Sequence, residues 1–163
     1  MHEFISSEIV LISVKAQNDK HRTLPQSEIE TLDKQWVAER KSDDKPLIAA
    51  TLSNPLSVYL ARVQGKSLGL YAEIFIMDHN GLNVGQSSVT SDFWQGDEDK
   101  FQKTFQAEGQ GLFIDAPEWD DDAKIWRGQV SFPLYDASEK KRVGAVTVEL
   151  NLTELERRAG AGS

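Results

Sequence analysis

The segment Thr90-Ser91-Asp92-Phe93-Trp94-Gln95-Gly96-Asp97 sets two large aromatic rings among hydroxyl, amide and carboxylate groups, in a stretch too irregular to form a strand. Further along, Arg127, Gln129 and Ser131 alternate with Trp126, Gly128, Val130, Phe132 and Leu134, so one face of a strand is polar and the other belongs to a core. If the aromatic loop lies over the polar face, the two enclose an apolar cleft with a few fixed polar groups, the make-up of a small-molecule site. Two plainer arrangements stay open: the polar face is simple solvent surface, or Phe93 and Trp94 fill the edge of the core.

Groupings that would do other chemistry are missing from the sequence. It contains no cysteine, hence no disulfide, thiolate ligand or cysteine nucleophile. His2, His21 and His79 lack metal-ligand spacing, and no Gly-rich phosphate loop, G-x-S-x-G elbow or H-E-x-x-H pair occurs. Glu73 and Asp78 lie on opposite faces of a strand and cannot share a proton-transfer site. Asp78-His79-Asn80-Gly81 begins like a calcium loop, but the later acidic ligands do not follow, so it reads as a hairpin turn. Binding without catalysis, cofactor or metal is the expectation. A cation held by Asp92, Asp97 and loop carbonyls is the lesser alternative.

The net charge of −8, from 26 acidic and 18 basic residues, repels a polyanion, and no basic stripe opposes that field, so nucleic acid is not an expected partner. No apolar run approaches the roughly 18–20 residues that span a bilayer. At 163 residues with 39% apolar content, the chain suits one domain.

The elements that must position these groups read as an α+β arrangement, helical over about residues 3–64 and strand-rich over about 70–151, with 159–163 as a tail. Ile5, Ile9, Ile12 and Ala16 line one face of a long first helix over Glu3 to Asp19, a stripe that could also pair two copies of the chain. Ser27, with Glu30 as capping-box partner, starts a second helix that ends at Ser42-Asp43-Asp44. Asn54 caps a third from Pro55 to about Arg62. A hairpin follows, Tyr71 to Asp78 and Leu82 to Gln86, then a short helix after Asp97 with Phe101 and Phe105 one turn apart. Strands at Gly111 to Asp115, Lys124 to Tyr135 and Arg142 to Leu150 complete the pattern, with Pro117 to Asp122 a turn.

The run Asp92-Phe93-Trp94-Gln95-Gly96-Asp97-Glu98-Asp99-Lys100-Phe101-Gln102-Lys103-Thr104-Phe105, following the hairpin Phe75 to Ser87, resembles stand-alone bacterial PDC sensor domains, the extracytoplasmic PAS-like or single-Cache kind. The resemblance extends from Glu73 to about Asn151. It implies a long N-terminal helix packed on a five-stranded antiparallel sheet, with a loop-helix insertion over the other face. It implies a signal-transduction sensor outside the cytoplasm, in the periplasm if a signal sequence has been removed. Ligand groups in such domains come from the insertion and the strand after it, which makes Ser91, Asp92, Trp94, Gln95, Asp97, Arg127, Gln129 and Ser131 the candidate site. The loop offers Asp92 and Asp97 but no Arg or His, so a dicarboxylate fits less well than an amino acid or amine, with Arg127 holding one carboxylate.

Overall fold

The computed structural model describes residues 2–108 and 110–162, and Ser163, part of the expected tail, lies outside the described residues. Five helices come first: α1 (His2–Ile5), α2 (Glu8–Lys20), α3 (Gln26–Glu39), α4 (Pro46–Ser53) and α5 (Pro55–Lys66). The hairpin β1 (Tyr71–Met77) and β2 (Asn83–Gln86) leads into the short helix α6 (Asp99–Gln102). Then follow β3 (Phe113–Ile114), β4 (Glu118–Asp120), β5 (Ile125–Asp136), β6 (Lys141–Asn151) and α7 (Leu152–Ala161).

All strand pairings are antiparallel, in the order β2-β1-β6-β5-β3, with β4 also pairing β5. β3 and β4 occupy one edge position in succession, Ile114 opposite Val130 and Glu118 opposite Arg127, so the expected five-stranded sheet has a divided edge. The segment expected as a turn from Pro117 thus holds a strand at Glu118–Asp120.

One face of the sheet carries α2 and α5. Ile74, Ile76, Val84, Val146 and Val148 meet Val10, Val14, Leu56 and Leu60 in the main core. Here the expected helix is corrected twice. It breaks at Ser6-Ser7, where the Ser6 hydroxyl bonds the Glu3 carbonyl and competes with the helical ladder. Its buried face centres on Val10 and Val14, with Ile5 and Ile9 of the expected stripe packed at its margin, while Ile12 is 64% exposed. Polar anchors set this rotation: Gln17 donates to Asp78, Asn18 to the Val143 carbonyl, and Lys15 to Asp136, at 2.9, 2.7 and 2.7 Å.

The third expected helix stands, with Asn54 accepting the Ser57 N–H at 2.8 Å and Pro55 at the first position. Ser27 is not a cap, because α3 starts at Gln26 and Ser27 lies within it. Two further helices lie where none was expected. α4 begins at Pro46 and is capped by the buried Glu39, whose carboxylate accepts the N–H groups of Leu47 and Ile48. α7 takes in residues 159–161 of the expected tail, capped by Asn151 accepting the Glu154 N–H.

A second core joins α3 and α4 to the hairpin turn and the insertion, through Ile29, Trp36, Ile48, Leu82 and Phe93. The turn itself is fixed by Asp78, fully buried, which accepts the N–H groups of Asn80 and Leu82. The hairpin reading of Asp78 to Gly81 therefore holds.

Candidate functional site

The insertion divides between two faces of the molecule. Its aromatic half, Ser91 to Gly96, turns toward α3. Phe93 stacks on the buried Trp36, ring centroids 5.1 Å apart, and the Phe93 and Trp94 N–H groups both donate to one oxygen of Asp33 at 2.9 Å. The Trp94 indole N–H donates to the Asn80 carbonyl at 2.8 Å, and Gln95 is buried with its amide on the Asp92 carbonyl. Ser91 is exposed and bonds the Asp92 carboxylate, while Asp97 is exposed. This half closes the second core, as in the plainer of the readings for Phe93 and Trp94.

The helical half covers the sheet. Phe101, with Phe105 stacked on it at 5.1 Å, packs on Phe75, Met77 and Ala145 of the face opposite α2 and α5. Register explains what lies beside that cover. Glu73 pairs with Glu149, which pairs with Gln129, and this row is polar. The next, Phe75, Thr147 and Ser131, is mixed, and the third, Met77, Ala145 and Pro133, is apolar. Helix α6 sits over the apolar end, and the polar end is left as a cleft of about 220 Å³.

The cleft is bounded by Glu98 and Lys100 from the insertion, Asp115 and Glu118 from the divided edge, and Arg127, Gln129 and Glu149 from the sheet. Of the residues expected at the site, Arg127 and Gln129 are brought together here. Ser131 lies one row away, fully buried and bonded to Thr147 at 2.8 Å. Ser91, Asp92, Trp94, Gln95 and Asp97 do not line the cleft. Trp126, assigned to a core face, is instead 49% exposed and makes an edge contact with Trp119.

Arg127 is held at 2.5 Å from Asp120 and 3.3 Å from Glu149, yet its Nε is buried and has no hydrogen-bond partner among the described residues. The N–H of Ala123 holds the Asp120 carboxyl below its ordinary pKa, with Arg127 adding to the effect. Lys100 pairs with Glu98 at 2.8 Å and sits 5.5 Å from the centre of the Phe75 ring. Burial pushes the Glu73 carboxyl above its ordinary value, and neighbouring Glu149 adds to this, against the hydrogen bond from Ser88 and the pull of Arg127 and Lys100. Two carboxylates directly opposite on neighbouring strands repel each other, and a cation placed between them relieves the repulsion.

Glu98, Lys100, Asp115, Glu118 and Glu149 of the cleft, and Glu73 opposite Glu149, were not among the expected site residues. The available signal was an ionisable residue on the alternate face of a strand rich in apolar residues, as at Glu73 and Glu149. Which strands become neighbours decides whether such positions meet.

Among the described residues no three His, Asp or Glu side chains gather to hold a metal ion, and no helix is long and apolar enough to cross a membrane.

No family profile matches the sequence, and no curated protein does. Solved structures do match in fold. The extracellular domain of rpHK1S-Z16, described as a histidine kinase, aligns with a TM-score of 0.51 at 15% identity over 94% of this chain and 64% of that one. The ligand-binding domain of the Campylobacter jejuni chemoreceptor Tlp3, in complex with L-norvaline, aligns at TM-score 0.47 and 15% identity over 95% of this chain and 58% of that one. The sensor domain of the V. cholerae histidine kinase DctB aligns at 0.44 and 17% identity, over 88% and 59%. The chain spans less than two thirds of each of these three chains. It has the mixed helix and antiparallel-sheet fold of PDC/Cache sensor domains.

Proposed function

We propose that this chain is an extracytoplasmic sensor domain that binds a small zwitterionic solute, an amino acid or a related amine-bearing acid, in the Arg127 cleft without turning it over. The observation that carries this reading is the buried Arg127 Nε with no acceptor. An orphaned buried donor costs about 1–3 kcal/mol, which a ligand carboxylate would recover by drawing the guanidinium round so that Nε faces the cleft. Lys100 and the Gln129 amide stand beside it for the same carboxylate, and Glu149, with Glu73 opposite it on the neighbouring strand, offers the counter-charge for an ammonium group. The size agrees, since a cleft of about 220 Å³ is smaller than the roughly 300–1,000 Å³ of drug-sized sites.

A solute in this cleft touches α6, the divided edge and the central strands together, so binding draws the insertion toward the sheet and favours one arrangement of the two. Because β6 runs directly into α7, a shift of that strand reaches α7 without an intervening linker. The aromatic half of the insertion acts here as a support that positions α6.

The test is a thermal-shift and calorimetric screen of amino acids, amines and monocarboxylic acids against wild type and Arg127→Gln. A ligand present at a hundredfold excess over its Kd stabilises by about 2.7 kcal/mol. Stabilisation by amino acids that disappears in the variant supports the reading. No stabilisation by any member, or equal stabilisation of both proteins, would remove it.

Ile12, exposed on α2, favours a second reading in which two copies associate along that helix. Sedimentation of wild type beside Ile12→Glu tests it: a wild-type dimer that the variant dissociates is the supporting result.

A further inference from the structure

On the far side of the core a larger groove, about 570 Å³, lies between α1, the end of α5 and α7. Its floor is apolar, with Phe4 and Tyr71 in a tilted contact 6.1 Å apart beside Val63 and Leu70. Its rim is basic, with Arg62, Lys66 and Arg158 set against Glu3 as the acidic side chain among the described lining residues. In a chain of net charge −8, that local excess of cations runs against the general field. Arg158 is engaged, with Nε on Glu154 and Nη2 on the carbonyls of Ser67 and Leu68. The side chains of Arg62 and Lys66 are exposed and make no ion pair or hydrogen bond among the described residues.

Leu68 stands at the lip with two unfavourable features at once. Its backbone φ is +54°, a left-handed conformation that costs a side-chain-bearing residue about 1–2 kcal/mol. Its side chain is also 79% exposed. The Arg158 clamp on the carbonyls of Ser67 and Leu68 holds this turn in place, so the exposed leucine extends the apolar surface of the groove at a defined position.

We infer that this groove is a second binding site, separate from the Arg127 cleft, for a carboxylate carried on an unbranched apolar tail, with Arg62 and Lys66 taking the carboxylate and Phe4, Leu68, Leu70 and Tyr71 the tail. Charge complementarity selects the anion over a neutral amphiphile, and the apolar floor selects a tail over a bare carboxylate.

The experiment is calorimetric and NMR titration with decanoate below its micellar concentration, alongside decanol and acetate. The proteins are wild type, the double variant Arg62→Gln/Lys66→Gln, and Arg127→Gln. Both substituted groove residues lie at the surface without intramolecular partners to lose, and the chemical-shift spectrum of the unliganded variant checks its fold. Saturable decanoate binding that weakens at least about tenfold in the double variant, persists in Arg127→Gln and falls about fourfold for each methylene removed is the expected result. The inference is overturned if acetate or decanol binds as tightly as decanoate, if the double variant binds like wild type, or if Arg127→Gln is the protein that loses binding.

Discussion

A Cβ on Gly96 would lie 2.3 Å from the indole nitrogen of Trp94, so the ring folds back over the backbone only because residue 96 has no side chain. The same glycine lies against Gly81 of the hairpin turn, where an added Cβ would come within 2.7 Å of Gly96 Cα. The W-Q-G run is thus a packing device that seats the insertion on the hairpin. Gly96→Ala is expected to destabilise the fold by about 1–3 kcal/mol, the cost of overpacking a closed site, as read by urea unfolding.

Trp94→Ala separates support from recognition. Loss of the half-buried indole and its bond to Asn80 is expected to lower the unfolding midpoint, while amino-acid affinity in the Arg127 cleft changes less than about twofold at temperatures where the variant is folded. Abolished binding by a folded variant would return the indole to the ligand site.

Asp33 is the one side chain of α3 that accepts from both Phe93 and Trp94 among the described residues. Asp33→Ala leaves two N–H groups without their acceptor and is expected to cost about 2–3 kcal/mol. Hydrogen exchange at the amides of residues 93 and 94 should accelerate before exchange in β6 does.

Two glutamates should respond to acid in opposite senses. Burial alone would push the Glu39 carboxyl up, but bonds from Ile48, Gln35 and Leu47 outweigh it and hold the pKa below 4.5. Its contribution to stability is present above the unfolded value of 4.5 and lost as pH falls through the lowered folded value. Glu73 is raised by burial, so its contribution is present below 4.5 and lost as pH rises through the folded value. Urea midpoints against pH should therefore show a shallower acid loss in Glu39→Gln than in wild type, and a relative gain near neutrality in Glu73→Gln.

Ligand affinity should carry the same signature. Glu73 stands opposite the cleft residue Glu149, and its ionisation adds to the negative field an ammonium group meets, so the affinity of an amino acid is expected to fall as pH drops through the raised Glu73 value, and Glu73→Gln should flatten that dependence. Calorimetry between pH 4 and pH 7 measures it, at roughly the range over which carboxylates titrate.

The parts of the fold legible from sequence are those fixed by near neighbours. Asn54-Pro55 carries its own cap, Asp78 to Gly81 its own turn bonds, and the strands their alternation. Helix α4 was hidden because its cap is Glu39, eight and nine residues upstream of the N–H groups it accepts. Asn151 and Glu154 do signal the start of α7, but the glycines that follow read as a tail. The first helix offers apolar residues on two faces, and only contacts with Asp78, Val143 and Asp136 choose between them. The candidate site was half legible for the same reason. The alternation on β5 identifies Arg127 and Gln129, whereas the direction of the Trp94 loop depends on Asp33, some sixty residues earlier in the chain.

The break between β3 and β4 gives the cleft a jointed lip. Pro117 supplies no N–H there, while the ladders on either side, Phe113 with Ser131 and Trp119 with Trp126, stay zipped to β5. At Ala116-Pro117 the edge can bend without unpairing either flank, because no ladder bond crosses the break. The same interruption denies a stray chain the long, straight border on which fibrils grow.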